Sequence, residues 1–195
     1  MVQMTFEDIA MMRSLPNMLV YDAVDAVQLS QAIPQIMNYE GNAYIRMPRK
    51  SRPDVFKEDY KFTLGKADIV SSGDDIAILA TGTMVYEALL AKESLKEKGI
   101  NAEVVSVNTI KPLDEETILK SIMKTKHVVT CENHNYIGGL YSTIAELLCK
   151  KYPLHIGYVA INDEFGQVGK YDELLKVYHL TPNDIVNEVL RELNK

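Results

Sequence analysis

The stretch DIAILATGTMVYEALLAKESLKEKGINAEVVSVNT, Asp75 to Thr109, decides the fold. DIAILAT, from Asp75 to Thr81, is a near-continuous apolar run, the pattern of a strand buried on both faces. Gly82 permits a tight turn, an amphipathic helix is predicted from Val85 to Lys98, and Gly99 stands where a helix C-cap is needed. EVVSVNT, from Glu103 to Thr109, then returns to the buried-strand pattern. Strand, helix and strand in this compass form one right-handed crossover of a parallel sheet.

Toward the C-terminus the alternation continues. A helix is predicted over Asp114–Lys124, a strand over His127–Glu132 (HVVTCE), a helix over Leu140–Lys150 and a strand over Leu154–Ile161. A Gly-containing loop, Phe165–Gly169, precedes closing helices near Asp172–Tyr178 and Pro182–Leu193. Helices between parallel strands must cover both faces of the sheet. The fold class is therefore α/β, a three-layer, mostly parallel sheet, with residues 66–195 forming a complete domain.

Toward the N-terminus the unit is smaller. A helix is predicted over Phe6–Met12, halted before Pro16 because the residue preceding proline is pushed out of the α region. MLVY, Met18–Tyr21, reads as a strand. The next helix is expected to be capped by Asp22, with Asp25 in its first turn, and to kink or restart at Pro34. NAYIRM, Asn42–Met47, reads as a second strand. From Pro48 to Lys66 the text changes: RPDVFKEDYKFTLGK is charged, aromatic and aperiodic, and the stretch is expected to be an interdomain connector. Residues 1–60 thus give an incomplete α/β segment, too small for its own core and expected to pack on a partner. Met1, Met4, Met11, Met12 and Met18 crowd this end, as adaptable packing against a neighbour would require.

The 195 residues carry a formal charge of -6 and a pI near 5.3, which disfavours polyanionic partners such as nucleic acid or an anionic membrane. No apolar run approaches the roughly 18 residues of a membrane span. Cys131 and Cys149 lack the number and spacing of a disulfide framework or a zinc site, so a cytoplasmic location is expected. Ligands of open α/β sheets sit beyond the carboxyl ends of the strands. Two loops occupy that position. ATGT, Ala80–Thr83, is either a backbone anion site or simply a tight turn. ENHNYIGG, Glu132–Gly139, collects a carboxylate, an imidazole, two amides and a phenol ahead of a helix. Glu132, His134 and His155 lack metal-ligand spacing, and Cys131 at a strand end reads as a small core residue. Arg46, Arg49, Lys50 and Arg52 form the densest cationic group, a local anion site or a solvated turn. GxSxG, GxGxxG and Walker motifs do not occur, leaving a free-standing small-anion-binding or dimerisation module as one reading.

Longer blocks add a resemblance. FEDIAMMRSLPNMLVYDAVDAVQLSQAI resembles the closing part of the pyrimidine-binding domain of transketolase and deoxyxylulose-phosphate synthase. DIAILATGTMVYEALLAKESLKEKGINAEVVSVNTIKPLD, VVTCENHNYIGGLYSTIAELL and FGQVGKYDELLKVYHLTPNDIV resemble their C-terminal domain, so nearly the whole chain is covered in order. The likeness implies the C-terminal part or subunit of a transketolase, which moves a two-carbon ketol unit between sugar phosphates. It also leaves the corresponding piece of deoxyxylulose-phosphate synthase or an oxo-acid dehydrogenase β subunit as alternatives. It implies thiamine diphosphate and magnesium in the complete enzyme. The GDG motif and the activating glutamate that serve them are absent, so no catalytic, cofactor-binding or metal residue is assigned to this chain, which is expected to be inactive alone. An N-terminal thiamine-diphosphate-binding domain or subunit is the implied partner, with homo-oligomer formation, a dimer in the family, through the C-terminal domain. Val2 stands where the family's substrate-facing histidine belongs, ahead of Glu7-Asp8, so the chain is expected to begin just past a catalytic residue. YIRMPR resembles the family's strand ending in a phosphate-binding arginine, which implies Arg49 as the substrate contact with Arg46 beside it.

Overall fold

Burial on both faces requires a strand to send alternate side chains into two different cores, and the strand Ile76–Ala80 does so. In the computed structural model, which describes residues 5–48 and 53–195, Ile76, Ile78 and Ala80 join one apolar cluster and Ala77 and Leu79 the other. The elements in chain order are α1 (Asp8–Ser14), β1 (Met18–Asp22), α2 (Ala26–Met37), β2 (Asn42–Arg46), β3 (Asp68–Ser71), β4 (Ile76–Ala80), α3 (Met84–Lys96), β5 (Ala102–Ser106), β6 (Thr109–Lys111), α4 (Glu115–Thr125), β7 (Val128–Asn135), α5 (Leu140–Lys151), β8 (Gly157–Ile161), α6 (Tyr171–Val177) and α7 (Pro182–Leu193). The main sheet has the order β3-β5-β4-β7-β8. β5, β4, β7 and β8 are parallel, and β3 is an antiparallel edge. Side chains of α3, α6 and α7 fill the first cluster, and those of α4 and α5 the second. The expected three-layer, mostly parallel arrangement is present.

Sequence signals explain several boundaries. Asp114 caps α4 by accepting from the Thr117 amide, and Thr181 with Pro182 opens α7 through a reciprocal pair with Asp184. Gly99 follows α3 with a positive φ of 79°. Three readings are corrected. α2 is capped by Asp25, whose carboxylate accepts from the Gln28 amide, because Asp22 is still in β1 and points elsewhere. Pro34 does not restart the helix but lies inside α2, which runs on to Met37. The strand read as Glu103–Thr109 is divided: β5 ends at Ser106, and β6 leaves the main sheet to pair antiparallel with β1, Val20 opposite Lys111 and Tyr21 opposite Thr109.

That departure supplies what the N-terminal unit lacks. Its sheet has the order β2-β1-β6, with β1 and β2 parallel. One side of β1 packs Leu19 and Tyr21 with Ala32 and Ile36 of α2, and the other packs Val20 with Ile9 of α1 and Ile110 of β6. The segment read as a connector is also part of the packing. Asp25 accepts from the Val55 and Phe56 amides at 2.8 Å each. Gln31 donates to the Tyr60 carbonyl and accepts from the Phe62 amide; Gln35 repeats the pattern on the Phe62 carbonyl and Leu64 amide. Glutamine offers both a donor and an acceptor, so each side chain pairs with an extended backbone as a neighbouring strand would. Phe62 is buried against Tyr21 at the centre of this strap.

Candidate functional site

The carboxyl ends of β1, β2, β4 and β7 meet where the two sheets face each other, and the side chains there are polar although the place is buried. Arg46 ends β2 with its side chain 14% exposed. Its Nε donates to Asp8 Oδ2 at 3.1 Å, and its Nη1 to Asn133 Oδ1. Its Nη2 donates to the carbonyls of Asn133 at 3.0 Å and Thr5 at 3.2 Å. Asp22 Oδ2 lies 3.5 Å from Nη1. The Tyr44 hydroxyl, two residues back along β2 and so on the same face, donates to Asp8 Oδ2 at 2.7 Å. One guanidinium thus joins α1, β1 and β2 to β7. Removing two carboxylates from water is costly unless a cation and hydrogen bonds replace the lost hydration, and Arg46 does so with its planar fork of donors. Burial lowers the proton affinity of the guanidinium, but the carboxylates of Asp22 and Asp8 more than restore it, leaving Arg46 above its ordinary value.

Both loops singled out in the sequence adjoin this cluster, and both are filled from within. In ATGT, Gly82 has a positive φ of 53°, and a Cβ there would lie 2.5 Å from Asp22 Oδ2. The Asp22 carboxylate sits in the turn, accepting from the Thr81 hydroxyl at 3.3 Å. Burial, opposed by Arg46, pushes its carboxyl up to about 6. In ENHNYIGG, the Glu132 oxygens accept from the Leu140 and Tyr141 amides at 2.7 and 2.8 Å, capping α5. Gly139 is required there because a Cβ would overlap the Glu132 carboxylate and crowd His134 Nδ1. Burial pushes the Glu132 carboxyl up to about 8, against the two amide bonds. An external anion at either turn would meet a carboxyl group of this chain already in place.

The remaining residues lie around this cluster or away from it. Asn133 donates to the Thr83 hydroxyl, which also accepts from the Tyr171 hydroxyl, linking α6 to the same edge. Cys131 is fully buried in the apolar core, and burial raises its thiol, as the core reading requires. His155 is remote, paired with Glu192 of α7 at 2.9 Å. Met12 and Met18 pack on the Ile9, Val20 and Ile110 cluster, whereas Met11 is exposed. Arg46, expected beside the substrate, has its donors directed to protein acceptors. Arg49, with Lys50 and Arg52, lies outside the described residues, as do Met1, Val2 and Met4. In the sequence Asp22 reads only as a helix cap, Asp8 only as half of an acidic pair, and Asn133 only as one of the amides of its loop. The YDAVD and ENHN contexts at strand ends are the signals that mark their neighbourhood.

Comparison with known proteins places the chain among relatives. A family model described as the C-terminal domain of transketolase matches residues 65–185. The chain is 48% identical to the 6-deoxy-6-sulfo-D-fructose transketolase subunit SqwH of Clostridium sp. (strain MSTE9), over 94% of this chain and 57% of that protein. It is 34% identical to an apulose-4-phosphate transketolase subunit of Phocaeicola vulgatus, over 98% of this chain and 61% of the relative. It therefore spans about three fifths of the length of these two proteins. A solved split gene transketolase, described as an inactive beta4 tetramer, superposes with a TM-score of 0.92 at 39% identity, over 97% of this chain and 62% of that one.

Proposed function

This chain belongs to the transketolase family through its C-terminal domain, and from that premise we propose that it is the C-terminal portion of a transketolase that works only with a thiamine-diphosphate-binding partner. The observation that carries this reading is the filling of both strand-end turns by Asp22 and Glu132. A domain whose ligand positions are taken by its own acidic side chains serves as scaffold, not as a cofactor site. The turns after β4 and β7, where a diphosphate would be expected to sit, are occupied by the side chains of Asp22 and Glu132, which supports placing the cofactor elsewhere. Cofactor and metal are therefore assigned to the N-terminal partner, and the ketol transfer to the assembled enzyme in the cytoplasm.

Within that assembly Arg49 holds the anionic end of the sugar, on the strength of the resemblance of YIRMPR, while Arg46 supports the strand that carries it. The relatives' names specify a 6-deoxy-6-sulfo-fructose and apulose-4-phosphate, and an anionic end group is common to both. Self-association through the C-terminal domain agrees with the tetramer described for the solved relative. The test is to combine the chain with a thiamine-binding transketolase subunit and follow ketol transfer between sugar phosphates. Neither chain alone should be active and the mixture should be. Arg49→Ala in the mixture should lower kcat/KM for anionic sugars by about tenfold to a hundredfold, the loss of one charge-assisted contact of roughly 1.5–3 kcal/mol, with less effect on uncharged sugars. A mixture that yields deoxyxylulose phosphate or acyl transfer products instead would overturn the assignment.

A further inference from the structure

His134 is fully buried in β7, and its two ring nitrogens have different partners. Nδ1 lies 2.7 Å from the Asn135 carbonyl, which can only accept, so Nδ1 carries the proton. Nε2 of the neutral ring is then an acceptor, and the Ala10 amide points at it from 3.5 Å. Ala10 belongs to the first turn of α1, whose amides lack intrahelical partners, and Glu7 at the N-cap position makes no side-chain cap. The cap of α1 therefore comes from a strand 124 residues away.

A second observation gives the ring an alternative partner. Asp8 Oδ2 is engaged by Tyr44 and Arg46, but Asp8 Oδ1 is buried without a hydrogen-bond partner. It lies 3.8 Å from His134 Nε2. We propose that His134 is a proton-operated latch: its neutral ring caps α1, and a proton taken up at Nε2 from solvent releases the Ala10 amide and directs the ring to the free oxygen of Asp8.

The groups facing the ring set the direction of its response. On β7 itself Glu132 Oε2 lies 3.7 Å from Nδ1, and the Asn135 carbonyl holds that nitrogen's proton. From α1 come Asp8, the Glu7 carbonyl and the Ala10 amide; from β2, Arg46 and the Tyr44 hydroxyl that bonds Asp8; from β1, Asp22, which partners Arg46. Backbone of the Gly139 turn closes the remaining side. Burial, the largest influence, and the Arg46 charge oppose the imidazolium; the Asn135 carbonyl, Asp8 and the Glu7 carbonyl favour it; burial prevails, and the proton affinity lies below that of a free histidine. The stabilisation given by the neutral ring is therefore complete above about 6.5, the ordinary value, and is lost as the pH falls toward the lower folded value.

The latch is tested on the whole chain by 15N NMR of the imidazole together with amide exchange in α1. At about pH 7.5 the ring should be neutral with its proton on Nδ1, and the Ala10 amide resonance should follow the ring's own titration on acidification. Protection of that amide, corrected for intrinsic exchange, should fall about tenfold across the transition while α5 amides keep theirs. In His134→Gln, which retains a neutral acceptor, protection should not depend on pH. An Nε2-protonated tautomer at pH 7.5, or an Ala10 resonance indifferent to the ring's titration, would overturn the proposal. These two measurements on the unsubstituted chain decide it even if the variant does not fold.

Discussion

The turns after β4 and β7 are alike in plan, each a buried strand running through glycine into a helix, yet their carboxylates come from different distances. Glu132 reaches only as far as Leu140 and Tyr141, so the turn at Gly139 is completed within its own domain. Asp22 belongs to the other sheet, 59 residues before Thr81, so the turn at Gly82 is completed only when the N-terminal unit docks. The first arrangement is part of folding a domain, and the second is part of joining two. Arg46 serves the two unequally: it is in direct contact with Asp22 and Asp8, whereas it acts on Glu132 only through its charge.

The strongest way to break the comparison is Arg46→Met. Removing one partner from a buried charge network leaves the carboxylates of Asp8 and Asp22 uncompensated, at a cost of about 3–5 kcal/mol. Denaturant unfolding should show that loss, with protection lost first in β1 and β2 and last in α5. Equal loss of protection at α5 would mean that the two turns are one cooperative unit.

Next in size is a pH effect confined to Glu132. Its folded carboxyl is pushed up to about 8, above the ordinary value, so the folded state binds the proton more tightly than the unfolded chain. Stability should therefore fall as the pH rises toward 8, by at most about 1.4 kcal/mol per unit. Above about pH 7 neither His134, with a lowered value, nor Asp22, pushed up to about 6, contributes much slope. Glu132→Gln should flatten this part of the profile, measured as unfolding midpoints, whatever its effect on baseline stability. An unchanged slope would show that the alkaline limb belongs to another group.

The smallest effect sharpens the contrast from the neutral side. Gln31→Ala removes two hydrogen bonds to the strap without touching a charge and should cost about 1–2 kcal/mol, independent of pH. Proteolysis should then begin in the strap. In the unsubstituted chain burial of Phe62 should slow cleavage of the strap, contrary to what its charged and aperiodic text suggests.

These contrasts also mark what the sequence tells a reader. IAILA, AEVVS and VVTCE are legible as buried strands because apolar residues dominate both of their faces, and Asp114, Gly99 and Thr181–Pro182 are legible because capping is a local matter. β3 and β6 escape because strands of four and three residues carry too little pattern to separate them from loops. Arg46 is legible as a cation, but its bond to Asn133 spans 87 residues, and no local spacing reports a partner so distant. Gln28, Gln31 and Gln35 do leave a signal, amides recurring on one face of a helix. Such a stripe reads as solvated until a backbone is found lying along it.

The pairing of β6 with β1 gives the chain a doubled seam. A strand from the larger domain completes the smaller sheet, the strap is laced to α2 by amides, and Arg46 bridges to Asn133. The covalent link between the halves is therefore duplicated by contacts of quite different kinds. A polypeptide cut ahead of Pro53 yields two pieces that carry matching halves of a strand ladder and a charge clasp, the makings of fragment complementation, in which two separately synthesised chains find each other and restore a single fold.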